Sequence, residues 1–238
     1  TFKKMNQSEF KYSSLKITCE GNEIDNIYNL NINFNLIKRL SICSVIPNIF
    51  GQYVPLDTRV YNYNYCHLFE KLFSINNIQN NLVYLCLEIY VGNVVGDFPD
   101  LKLIKNLNNF IFLEELVLNG FQFKKDESFE LNLPNLKILY LTCCKDISLA
   151  KDSYSKLRQL NLIDSLILFK DSSPYYFPNL EKLLFSDAGS NCYSLLYYAF
   201  DIYTIDFKKL KYLKYFQGYF KDFLELENPS LLETLILF

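Results

Sequence analysis

The segment LPNLKILYLTCCKDIS, Leu133 to Ser148, spaces its apolar groups in a way that suits neither a helix nor a strand. Leu136, Leu139, Leu141, Cys144 and Ile147 follow at steps of three, two, three and three. A helix would repeat near 3.6 and a strand at about 2. The same register returns along the chain. LEELVL carries Leu113, Leu116 and Leu118; LRQLNL carries Leu157, Leu160 and Leu162; LEKLLF carries Leu180, Leu183 and Phe185. LETLIL (Leu232, Leu235, Leu237), LVYLCL (Leu82, Leu85, Leu87) and IKRLSI (Ile37, Leu40, Ile42) fit equally well. LKYLKY (Leu210, Leu213, Tyr215) is an aromatic variant, and YSSLKI and TRVYNY are weaker copies.

With the first apolar residue at position one, the others fall at positions four, six, nine and twelve. Position four then lies at residues 15, 40, 61, 85, 116, 139, 160, 183, 213 and 235, in steps of 21 to 31. Self-similarity at such a period marks a repeat architecture in which no unit buries its apolar groups alone. Positions four and six alternate as a short strand and point to one face. Position one comes from the turn before the strand, and position nine from the arc leaving it.

The expected fold is α/β: a solenoid, or horseshoe, with a curved parallel β-sheet on its concave side and short helices or extended arcs on its convex side. Residues 1–238 form one such domain of about ten irregular repeats. The two longest steps contain helix-like sequence, DLKLIKNLNNF and SNCYSLLYYAFDIY, and HLFEKLFS is a third candidate. Pro47, Pro55, Pro134, Pro178 and Pro229 all fall in expected arcs, where a missing N–H donor is tolerated.

Composition narrows the picture. A formal net charge of -2 gives no long-range attraction to nucleic acid or an anionic membrane. Seven cysteines, an odd number without a CxxC pair, point to reduced structural thiols and a cytoplasmic chain. No apolar run is long enough to span a bilayer. The start at Thr1 and the stop inside a strand-like run are expected of a fragment of a longer chain.

The register resembles the leucine-rich repeat family. Leu136 to Ile147, LxxLxLxxC followed by xxI, is similar to the cysteine-containing subtype of F-box substrate receptors, and LPNLKILYL and FPNLEKLLF resemble F-box-associated repeats. The resemblance implies a recognition scaffold. Position nine departs from the family pattern: it is Cys only at Cys66 and Cys144, and elsewhere Glu20, Val45, Tyr90, Phe121, Ser165, Ala188 and Gly218. A continuous polar ladder is therefore not expected there.

Little in the sequence carries catalytic chemistry. His67 stands beside Cys66 without other candidate partners, and Cys143 and Cys144 are adjacent on an outgoing turn and so point different ways. Glu114 and Glu115, Asp126 and Glu127, and Glu225 and Glu227 are scattered over expected edges and turns. No phosphate-binding, HExxH or GxSxG motif occurs. No enzyme, metal or cofactor is expected.

Residues before, between and after the two strand leucines face outward from the sheet. From Tyr84 to Ile163 these columns are unusually apolar, and Tyr84, Cys86, Val117, Ile138, Tyr140 and Ile163 form the candidate partner-binding patch. The first expectation is a non-enzymatic scaffold binding a protein through this face. The alternatives are the substrate-recognition arm of an F-box-type ubiquitin ligase, which would also contact a ligase adaptor, and a host-interaction protein.

Overall fold

The structure, a computed structural model, describes residues 13–20, 34–45, 78–90, 107–121, 130–144, 147–150, 153–163, 165, 167–168, 177–186, 205–218, 226 and 229–237. Among the described residues nine strands make one parallel sheet: β1 (Ser14–Glu20), β2 (Arg39–Val45), β3 (Tyr84–Tyr90), β4 (Glu115–Asn119), β6 (Ile138–Thr142), β8 (Gln159–Ile163), β10 (Lys182–Ser186), β11 (Tyr215–Gly218) and β12 (Thr234–Leu237). They lie side by side in chain order. Between them β5 (Glu130–Leu131), β7 (Ile147–Leu149) and β9 (Ile167–Leu168) pair into a second, three-stranded parallel sheet. The helices among the described residues are single turns, as at Phe34–Leu36, Ile78–Asn81, Phe207–Lys209 and Pro229–Leu231. A mostly parallel sheet with few helices agrees with the α/β class.

A tight turn delivers five of these strands, β4, β6, β8, β10 and β12. The N–H of position one bonds back three residues at Leu113 to Phe110, Leu136 to Leu133, Leu157 to Tyr154, Leu180 to Phe177 and Leu232 to Pro229, at 2.9 to 3.2 Å. In such a turn side chains three apart eclipse, so an apolar residue there points inward with position one. Leu133, Tyr154 and Phe177 accordingly join the core. Pro134 and Pro178 occupy the turn, where a fixed backbone angle helps.

Backbone pairing between units starts at position two. The Glu114 carbonyl accepts N–H groups from Lys137 and Ile138 at 2.7 and 3.0 Å. The Lys137 carbonyl does the same for Arg158 and Gln159, and Arg158 for Glu181 and Lys182. Ser13, Lys38, Val83, Glu181 and Lys214 repeat the arrangement. One carbonyl with two lone pairs satisfies two donors of the next unit.

Position four stays in register across the sheet. Leu116 pairs with Leu139, Leu139 with Leu160 and Leu160 with Leu183, and all four have no exposed surface. Leu131, Ile147 and Leu149 of the second sheet belong to the same core. The last strand has no neighbour on its outer side among the described residues, and its Leu235 and Leu237 stay 43% and 36% exposed.

The strand pairing corrects three expectations. First, β2 pairs directly with β3, Leu40 opposite Leu85, so the weak copy at residue 61 adds no strand between them. Its residues, like Cys66, Pro47 and Pro55, lie outside the described residues. Second, Leu183 faces Phe216 rather than Leu213. Phe207, Leu210, Leu213 and Phe216 are all buried at steps of three, so the motif fits two registers. The observed one puts apolar Phe216 and Gly218 inside and leaves the phenol of Tyr215 outside. Phe185 fills the space beside the glycine: a Cβ at Gly218 would come within 2.8 Å of the Phe216 ring and 3.1 Å of the Phe185 ring. Third, position nine is no corner in β1, β2 and β3, where Glu20, Val45 and Tyr90 are the final paired strand residues. Of the helix-like segments, DLKLIKNLNNF is described only from residue 107, where a single tight turn begins, and the other two lie outside the described residues.

Two predictions follow from this geometry. Phe216→Ala will cost about 3–5 kcal/mol and Gly218→Ala about 1–3 kcal/mol, whereas Tyr215→Ala will cost less than about 1 kcal/mol. Chemical denaturation measures all three, and the opposite ranking would restore the Leu213 register. The residue leaving β4 is Gly120, with φ 81°, and its counterpart after β6 is Cys143, with φ 50°. Gly120→Ala will therefore lower stability by about 1–2 kcal/mol through left-handed backbone strain alone.

Candidate interaction surface

Odd positions of the strands point away from the core and make a face of three columns. The first runs Arg39, Tyr84, Glu115, Ile138, Gln159, Lys182 and Tyr215. The middle one runs Ser41, Cys86, Val117, Tyr140, Asn161, Leu184 and Gln217. In the third, Asn119, Thr142 and Ile163 follow one another across β4, β6 and β8. The corrected register thus places Tyr215 and Gln217 here instead of Tyr212 and Lys214, and buries Phe216, which the sequence pattern put on this face.

All six candidate residues fall on this face, but they do not form one uninterrupted patch. Cys86, Val117 and Tyr140 sit in adjacent strands of the middle column, with Ile138 beside them in the first. Glu115 separates Tyr84 from Ile138, and Asn119 and Thr142 precede Ile163 in its column. Tyr84, Val117, Ile138, Tyr140 and Ile163 are half-buried; Cys86 is only 4% exposed.

Polar side chains hold the two tyrosines. The Arg39 guanidinium lies 4.0 Å from the centre of the Tyr84 ring and reaches Glu115 at 3.3 Å. Burial and then a hydrogen bond to Cys86 push the Tyr84 hydroxyl's ionisation upward. Gln159 Nε2 donates to the Tyr140 hydroxyl at 2.6 Å and, at 3.4 Å, to Asn161 Oδ1. The Cys86 and Cys43 thiols are also shifted upward, mainly by burial, so both stay protonated at neutral pH and are poor nucleophiles. The arrangement offers apolar contact framed by fixed polar groups and no activated nucleophile.

Cys144 is a packing group, in keeping with its place in the sequence pattern. It is fully buried, its Sγ bonds the carbonyls of Thr142 at 3.2 Å and Leu118 at 3.4 Å, and its N–H donates to Ser165 Oγ at 3.0 Å. Ser165 Oγ in turn donates to the Ile163 carbonyl at 2.8 Å. A short polar ladder therefore does exist at position nine. Sequence reasoning missed a longer one: the asparagine just before position one. Asn81, Asn135 and Asn179 each donate to a carbonyl of the preceding unit, those of Asn35, Ile111 and Ser155, at 3.1, 2.6 and 2.7 Å. The signal was present in the repeated Pro-Asn of LPNL and FPNL. Also unforeseen was a cleft of about 460 Å3 along the leading edge of β6, β8, β10 and β11.

His67 lies outside the described residues. Among the described residues no cluster of His, Cys, Asp and Glu could hold a metal ion, and no helix is long and apolar enough to cross a membrane. Comparison with protein-family models, curated proteins and solved structures finds no match.

Burial pushes the Cys144 thiol from its ordinary 9.0 up to about 12. The unfolded chain releases this proton above pH 9.0 while the folded chain keeps it, so the contribution to stability is complete below that value and is lost as pH rises toward about 12. Melting temperatures across this window will fall, and they will fall less steeply in Cys144→Ala. Equal slopes in the two proteins would show that the thiol is not shielded.

Proposed function

We propose that this chain is a leucine-rich-repeat solenoid serving as a non-enzymatic protein-interaction scaffold, with a protein partner seated on the outward face of the nine-stranded sheet. The regular spacing of Leu116, Leu139, Leu160 and Leu183, one strand apart in common register, supports the repeat reading. The observation that carries the binding reading is the group Val117, Ile138 and Tyr140. These are half-buried apolar side chains in mid-sheet, where a water-facing surface would ordinarily be polar. Glu115, Gln159 and Asn161 adjoin them, and Arg39 reaches Glu115, giving an apolar centre with a polar rim. Tyrosine suits such a centre because it buries a large rigid area and keeps one hydrogen-bonding group.

The test is a Tyr84→Ser/Tyr140→Ser double variant. Loss of the Arg39 stacking and of the Gln159 bond will lower stability by less than about 2 kcal/mol in total. Affinity capture, followed by reconstitution with the purified captured partner, will show binding by the parent chain and at least about a hundredfold weaker binding by the variant. Undiminished binding would remove the face from the interaction. Failure of the variant to fold would show that the tyrosines belong to the core.

A further inference from the structure

Along the edge where turns lead into β6, β8, β10 and β11, the cleft of about 460 Å3 is lined by Lys137, Lys156, Arg158, Glu181, Tyr212 and Lys214, among others. Four cations and one carboxylate line the cleft itself, with two more carboxylates on its flanks, in a chain whose formal net charge is -2. The Lys156 ammonium meets only a neutral group among the described residues, Asn135 Oδ1 at 2.5 Å. Lys137 and Lys214 are held from the flanks, by Glu114 at 2.7 Å and Glu233 at 4.0 Å, and Arg158 by Glu181 at 3.3 Å. These pairs join largely exposed side chains, so exchanging them for a ligand's carboxylates costs little. Tyr212, 57% exposed, adds an apolar surface and a hydroxyl.

Parallel pairing sets Lys137, Arg158, Glu181 and Lys214 in one row at position two, with Lys156 two residues before Arg158. From β6 to β11 the sheet advances three strands, about 14 Å at roughly 4.8 Å each, which matches about four residues of extended chain. A compact anion would reach only one or two of these groups at once. We infer that the cleft binds an extended acidic peptide segment, whose carboxylates are held along the edge by Lys137, Lys156 and Lys214. The inference does not rest on the proposed partner face, since it concerns the leading edge of the sheet and different chemistry.

Fluorescence anisotropy with a fluorescein-labelled oligoglutamate peptide tests it directly. The parent protein will bind saturably at low salt and more weakly as salt screens the charges. Lys156→Glu/Lys214→Glu will weaken binding about tenfold or more, and the neutral Lys156→Gln/Lys214→Gln will weaken it by less. Circular dichroism will show both folded; if the charge reversal unfolds, the neutral pair decides alone. Tyr84→Ser/Tyr140→Ser will leave peptide binding unchanged, which separates this site from the partner face. Absence of saturable binding, equal binding by both lysine variants and the parent, or equal binding of an oligoglutamine peptide would overturn the assignment. So would displacement of the peptide by inorganic phosphate at matched ionic strength, because the site would then be one for a compact anion.

Discussion

Leu139 is completely buried because Leu116 and Leu160 stand on either side of it, one strand away. No single turn and strand shields its own leucines; each unit supplies a wall for the next. The last strand shows the dependence from the other direction. Leu235 occupies the same row as Leu183 and Phe216, yet with a neighbour on one side only among the described residues it keeps 43% of its surface exposed. Burial here is a property of neighbours more than of residues. Full burial of a leucine is worth about 1.5–3 kcal/mol, so unit-to-unit contact carries most of the favourable free energy.

Polar groups obey the same neighbour rule. At the leading edge each position-two carbonyl takes two N–H groups from the next unit, and Asn81, Asn135 and Asn179 add a side-chain bond across the same gap. At the trailing edge Gly120 and Cys143 donate to Thr142 and Ile163, while Cys144 and Ser165 join adjacent arcs. Both edges of the sheet are therefore tied by hydrogen bonds. This fixes the spacing of everything mounted on the sheet.

The outward columns are thereby released from any duty in the core and can vary. Charged residues of both signs line position two of the leading edge, Lys137, Arg158 and Lys214 beside Glu114, Glu181 and Glu233, while mid-sheet carries Val117, Ile138 and Tyr140. The two surfaces differ in physical character. Apolar contact is short-ranged and depends on shape, whereas the charged edge acts at longer range and weakens with salt. The proposed partner face and acidic-segment cleft would let one sheet offer both kinds of recognition.

The sequence alone determined which residues are interior wherever position six was unambiguous. Leu116, Leu139, Leu160 and Leu183, and the six outward residues from Tyr84 to Ile163, were legible because an alternating pair fixes both the face and the phase. It could not choose the phase at Phe207, Leu210, Leu213 and Phe216, where apolar residues every third position fit two registers. Only packing against Phe185, with Gly218 leaving room for the rings, decided between them. Nor could it show that the copy at residue 61 adds no strand between β2 and β3, since a motif states that a strand could form but not what it pairs with. The leading-edge cleft was hidden for a related reason. Lys137, Lys156, Arg158 and Lys214 are spread over three units, and only lateral stacking of the strands brings them to one edge.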